Sequence, residues 1–164
     1  MSAHELPIDR YDAMAEPEAI AAVRSCVDIP SFGTLLAQGR PYRTTEALLM
    51  QAESLTRGWT DHEVERALAG HPRIGERTDN ARSRAEQAGV ASDDETSRRL
   101  HSGNVRYEAR FGRIYLVRAK GRSAEELLAI LEQRLQNDDS TEWQVTREQL
   151  AEITLLRLKE LMSA

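Results

Sequence analysis

Apolar residues recur along most of this chain at the three- and four-residue spacing of a helix, not the two-residue spacing of a strand. The first such stretch covers residues 16–29, with Pro17 in its first turn, where a missing N–H costs little. A second covers 31–38 and stops at Gly39. In 44–57, Ala47, Leu48 and Leu55 share one face and Gly58 is the stop. The next helix runs to Ala69, opened by Thr60 with Glu63 three residues on, the pairing of a capping box. After an irregular stretch over 70–81 the pattern predicts a short helix over 82–88, ended by Gly89. Ser92 with Glu95 predicts a second capping box and a long helix to about Phe111. Ser123 with Glu126 predicts a third, on a helix ending near Asn137, and the longest helix is expected over 141–162. One segment breaks the rule: residues 114–119, Ile-Tyr-Leu-Val-Arg-Ala, read as extended. A lone strand has nothing to pair with, so an extended loop is expected there. The predicted fold is all-α: a compact bundle of eight or nine helices, with one extended loop after the long central helix.

Composition narrows the picture without redirecting it. A length of 164 residues fits a single domain over 1–164, and no repeat or low-complexity linker interrupts it. Aromatics make up only 5% of the chain, so aliphatic side chains are expected to fill the core. A net charge of -5 argues against a nucleic-acid partner, whose phosphates demand clustered cations. It leaves room for a small anionic substrate. Cys26 stands alone, which rules out an intrachain disulfide and suits a reducing compartment. Its apolar helical setting predicts a core thiol rather than a nucleophile. No basic, apolar leader opens the sequence and no stretch nears the ~20 apolar residues of a membrane span, so a soluble, cytoplasmic protein without membrane contact is expected.

The histidines are His4, His62, His71 and His101, and none is spaced with another ligand as a metal site requires. His62 and His101 are expected on helix surfaces. His71 differs. Pro72 pushes it toward extended backbone, and Gly70 and Gly75 allow tight turns on either side. The chain therefore specifies the backbone around one imidazole, a group that gives or takes a proton near neutrality. A helix-ending turn with an incidental histidine accounts for the same residues. Ser83, Glu86 and Gln87, at i, i+3 and i+4, place a hydroxyl, a carboxylate and an amide on one helical face. That suits a polar heterocycle, and equally a solvated face. Arg157 shares a stripe with Leu150, Ile153 and Leu161. A guanidinium there must snorkel, pair with an internal acid such as Glu86, or bind a carboxylate ligand. A second row, Leu155, Leu158 and Met162, leaves open which face is buried. Gly112 permits a left-handed helix cap, and the extended chain behind it offers free peptide groups to a planar ligand.

Taken in order, His71-Pro72-Arg73-Ile74-Gly75, Ser83 with Glu86-Gln87, Asn104 through Tyr107-Glu108 to Arg110-Phe111-Gly112 and Tyr115, Ala119 to Ser123, Arg134-Leu135 with Asn137, and Glu148, Ile153 and Arg157-Leu158 resemble the 2-oxo-4-hydroxy-4-carboxy-5-ureidoimidazoline (OHCU) decarboxylase family. The resemblance extends from about residue 7 to the C-terminus and looks like a bacterial-type member. It implies an all-helical, cofactor-free homodimer that releases CO2 from OHCU to give (S)-allantoin in urate breakdown. It also implies roles. His71 is the proton donor, with Glu86 and Arg157 beside it. Pro72 and the run Ser83, Arg84, Ala85, Glu86 and Gln87 line the substrate. Backbone groups of Arg113, Ile114, Tyr115, Leu116 and Val117 bind the ring. Arg73 stands where many relatives carry an acid and Tyr115 where a Phe is usual, adding a cation and a hydroxyl near the substrate. Two other readings compete: a non-enzymatic helical interaction module, and a partner subunit of a purine-catabolic hydrolase.

Overall fold

A computed structural model describes residues 6–75, 81–88 and 93–163. Among them every regular element is a helix: α1 (Ile8–Ala13), α2 (Glu16–Arg24), α3 (Pro30–Gln38), α4 (Thr45–Thr56), α5 (Asp61–Leu68), α6 (Ala81–Glu86), α7 (Asp94–Phe111), α8 (Ala124–Arg134) and α9 (Asp139–Leu161). Two contact units divide them. One holds α1–α5 and the chain from residue 151 onward; the other spans residues 70–150.

In the first unit α2 packs on α3 and α3 on α4. The helix expected over 16–29 stops at Arg24. Pro30 denies helical backbone to the residue before it, so no helix could have run on through Ile29. Ile29 is extended, at φ -126° and ψ 96°, and becomes the N-cap of α3. α1 was not anticipated. It is tied down by distant polar groups: Arg40 Nη1 donates to the carbonyls of Tyr11 and Met14, and the Asp12 carboxylate accepts from the N–H groups of Tyr42 and Arg43.

In the second unit α7 packs on α8. Gly103 of α7 makes this close: a Cβ at that position would collide with Leu131, a fully buried side chain of α8. The expected capping boxes at Thr60–Glu63 and Ser123–Glu126 are both formed. At α7 the cap is Asp93, whose Oδ1 accepts from Thr96 N–H at 2.7 Å; Ser92, expected in that role, lies outside the described residues. α7 ends on Gly112 in left-handed geometry, φ 72°. α8 stops at Arg134, before Asn137, and α9 starts at Asp139, where Asp138 Oδ1 caps the N–H of Thr141. Residues 114–119 form neither helix nor strand. Ile74, Leu100, Tyr107, Phe111, Tyr115, Val117, Leu127 and Leu131 build one core cluster. Aliphatic side chains supply most of it, as expected, and three of the scarce aromatics pack among them: Tyr107 meets Phe111 at 4.7 Å and Tyr115 at 5.5 Å between ring centroids.

Candidate active site

The loop 71–75 follows α5 and belongs to the second unit. Its backbone is held from two directions. Asn104 Nδ2 donates to the carbonyl of Ile74 at 3.2 Å, and Arg73 Nε donates to the Glu108 carboxylate at 2.9 and 3.1 Å. Asn104 and Glu108 lie one turn apart on α7, so a single helical face receives the loop. From the other direction, the N–H of Gly75 donates to Gln87 Oε1 at 2.9 Å, just past the end of α6. Gly75 takes φ 85°, a backbone that a side chain resists. Ile74 is buried and anchors the loop in the core, while His71 and Pro72 are half-buried.

α6 presents its residues unevenly. Ser83 is 4% exposed, Glu86 and Gln87 are half-buried, and Arg84 and Ala85 face outward. The Gln87 N–H bonds to the Ser83 carbonyl, which keeps these two on one face as the spacing predicts. One oxygen of that face is already committed, since Gln87 holds the loop.

Residues 113–117 return the chain from Gly112. The Arg113 guanidinium packs over the rings of Phe111, at 5.5 Å, and Trp143, at 4.9 Å, with Nη1 at 3.6 Å from Asp139. Ile114 is half-buried, and Tyr115, Leu116 and Val117 are buried. Tyr115 does not offer its hydroxyl to a ligand: the OH donates to the Leu127 carbonyl at 2.9 Å, and burial pushes the phenol pKa up. Among the described residues, the peptide N–H groups of 114–117 have no hydrogen-bond partner. Buried peptide groups are rarely left so, and a planar ligand rich in N–H and C=O groups complements them.

Arg157 belongs to the first unit. It is 7% exposed, which excludes snorkelling, and Nη1 donates to the Cys26 carbonyl at 3.1 Å. Leu150, Ile153 and Leu161 of its stripe are all buried. Leu158 and Met162 of the second row are buried too, and Leu155 half-buried. Cys26 is a buried free thiol.

The OHCU decarboxylase family model matches residues 12–159. The chain belongs to the OHCU decarboxylase family. It is 25% identical over 169 residues to a 2-oxo-4-hydroxy-4-carboxy-5-ureidoimidazoline decarboxylase of Haloferax volcanii, covering 98% of this chain and 99% of that one. It is 26% identical over 127 residues to a uric acid degradation bifunctional protein of Bacillus sp. (strain TB-90), covering 74% of this chain but spanning only 25% of that relative's length. In three dimensions it is similar to an OHCU decarboxylase crystallised in the presence of (S)-allantoin, with TM-score 0.76, 24% identity, and 86% and 96% of the two chains covered. An (S)-allantoin synthase aligns at TM-score 0.71 and 16% identity over 96% of this chain and 54% of its own.

In this OHCU decarboxylase family member, His62 and His101 are exposed as expected, and His4 lies outside the described residues. No group of three or more His, Cys, Asp or Glu side chains placed to hold a metal ion occurs among the described residues. The charge expected from Arg73 is met by Glu108. Sequence reasoning gave Arg134 no role of its own, and Glu142 escaped it. Both are buried, and they form an ion pair, Nη2 to Oε2, at 2.5 Å. The signal was present. Leu127, Leu131 and Arg134 fall at i, i+4 and i+7, the same apolar stripe with a guanidinium that singled out Arg157.

Proposed function

We propose that this chain catalyses the cofactor-independent decarboxylation of OHCU to (S)-allantoin in urate catabolism, with His71 as proton donor. The family match over residues 12–159 carries the reading. It runs across both contact units, and we take them as one functional domain. The geometry of the second unit is consistent with it. The half-buried His71 imidazole sits on a loop clamped at Ile74, Arg73 and Gly75.

The chemistry makes modest demands. The bond to the carboxyl carbon breaks, CO2 departs, and the electron pair enters the ring, where the adjacent C=N accepts it. One proton then adds to one face of the planar carbon and sets its chirality. The protein must orient the carboxylate, complement developing charge and deliver that proton. His71 delivers it. Glu86, on α6, favours the imidazolium form, because a nearby carboxylate stabilises the positive charge. Pro72 and the Ser83–Gln87 run line the substrate, and the peptide groups of 113–117 bind its ring. Arg157, in the other unit, offsets negative charge; that role rests on the family resemblance alone. We further propose a cytoplasmic homodimer. No helix among the described residues is long and apolar enough to cross a membrane.

Proton transfer by a positioned side chain contributes about 10²–10⁴-fold. His71→Asn is therefore expected to lower turnover by at least ~10²-fold with an unchanged far-UV circular dichroism spectrum. The assay follows OHCU absorbance and the optical activity of the allantoin formed. A near-normal rate of optically active product from the variant would remove His71 from its role.

A further inference from the structure

Arg134 lies on the core face of α8, 5% exposed. Its Nε donates to both Glu142 oxygens, at 3.1 and 2.9 Å, and its Nη1 donates to the Leu116 carbonyl at 2.7 Å. Glu142 is fully buried and also accepts from the Tyr107 hydroxyl and from Asn137 Nδ2. Burial alone pulls the guanidinium pKa down, but the hydrogen bonds and charge of Glu142 outweigh it and the net shift is upward. Buried ion pairs are weak contributors to stability, since an apolar pair of equal volume often does as well. The Leu116 carbonyl offers this pair a different task.

A trans peptide points the carbonyl of one residue and the N–H of the next in opposite directions. The only cis bond among the described residues is Arg40–Pro41. With the Leu116 carbonyl on Arg134, the Val117 N–H points away from Arg134. The Arg118 N–H donates to Gln149 Oε1 at 2.8 Å. The Val117 carbonyl therefore points away from Gln149. The Val117 side chain is locked in the core at 3% exposure. Both peptide groups of Val117 thus have imposed directions, and neither has a partner among the described residues.

We infer that Arg134, braced by Glu142, and Gln149 are positioning residues that aim the Val117 N–H and C=O at the ureide edge of the substrate ring. A ureide edge offers one C=O and one N–H side by side, the complement of one residue's donor and acceptor. Neither side chain touches substrate. The inference rests on the reading of 113–117 as the ring-binding segment.

Such contacts act equally on substrate and transition state, so losing them raises KM and spares kcat. A merely structural role would lower the folded fraction, and with it apparent kcat, at constant KM. The test uses the full chain and two disruptions. Gln149→Leu removes one clasp at a half-buried site. Arg134→Met with Glu142→Leu removes the other without stranding a buried charge. Each is expected to raise KM for OHCU roughly 5–30-fold with kcat within about threefold, the effect of one displaced hydrogen bond or two. Gln149→Glu keeps an acceptor for the Arg118 N–H and should restore KM to within about twofold of the parent. In ¹H–¹⁵N spectra of the unaltered protein, the Val117 amide should move as (S)-allantoin is added. An amide that stays still at saturating (S)-allantoin removes the ring-binding reading, and this inference with it. A moving amide with parental KM in Gln149→Leu overturns the inference alone, even if the double variant fails to fold.

Discussion

The hydroxyl of Tyr115 is bonded to the Leu127 carbonyl from a side chain only 1% exposed. Read as a letter in a row, it stands among ring-binding positions and suggests a ligand contact. In the fold it closes a core. Tyr115→Phe should therefore cost about 1 kcal/mol of stability, the value of one internal hydrogen bond, and leave KM for OHCU unchanged. Urea unfolding and steady-state kinetics on the same sample check both halves; a raised KM at unaltered stability would return the hydroxyl to the substrate. Arg73 follows the same logic, since its extra charge is met by Glu108. Its side chain is 50% exposed, so the ion pair orients the loop more than it stabilises it.

Helix starts were legible wherever the capping chemistry is local. Thr60 with Glu63 and Ser123 with Glu126 sit three residues apart and need no tertiary help. The start of α7 was legible to within one residue, because Ser92 and Asp93 are both good caps and sequence alone does not choose. Asp93→Ala should lower the urea midpoint at constant m-value, as the loss of an N-cap does. An unchanged midpoint would hand the cap to another residue. α1 left little pattern, being short and anchored by Arg40 from 26 and 29 residues away. The break before α3 was available in Pro30 and overridden by the apolar run around it.

For the molecule as a whole, titrating groups fall into two sets. The carboxyls of Asp28, Glu63, Asp93 and Asp138 are held below their ordinary range, Asp28 by a hydrogen bond from Arg24, Glu63 by one from Ser31, and the other two by backbone N–H groups at helix starts. Each therefore binds its proton more readily when unfolded. Stability is complete above the unfolded values near pH 4 and declines as pH falls through the folded ones. The phenols of Tyr11, Tyr42, Tyr107 and Tyr115 are raised by burial, Tyr42 to about 12. Their contribution is complete below pH ~10 and declines as pH rises beyond it. Thermal melts should show a plateau between about pH 6 and 9 with losses on both sides. A steady slope across that plateau would mean that another group dominates.

The sequence by itself determined the helical class, most helix boundaries, two of the three positive-φ glycines among the described residues, 75 and 112, and the ordered motifs that mark the family. Each of these depends on residues within a turn or two of one another, or on their linear order. Only the tertiary structure decided what polar side chains do. Gln87 proved to hold the His71 loop, Tyr115 to close the core, and Arg134 to grip Leu116 across 18 residues of chain. A hydrogen bond needs two groups within about 3 Å at the right angle, and no one-dimensional pattern carries that distance. The directions of the Val117 peptide groups follow from Arg134 on α8 and Gln149 on α9, both far in sequence from the 113–117 segment.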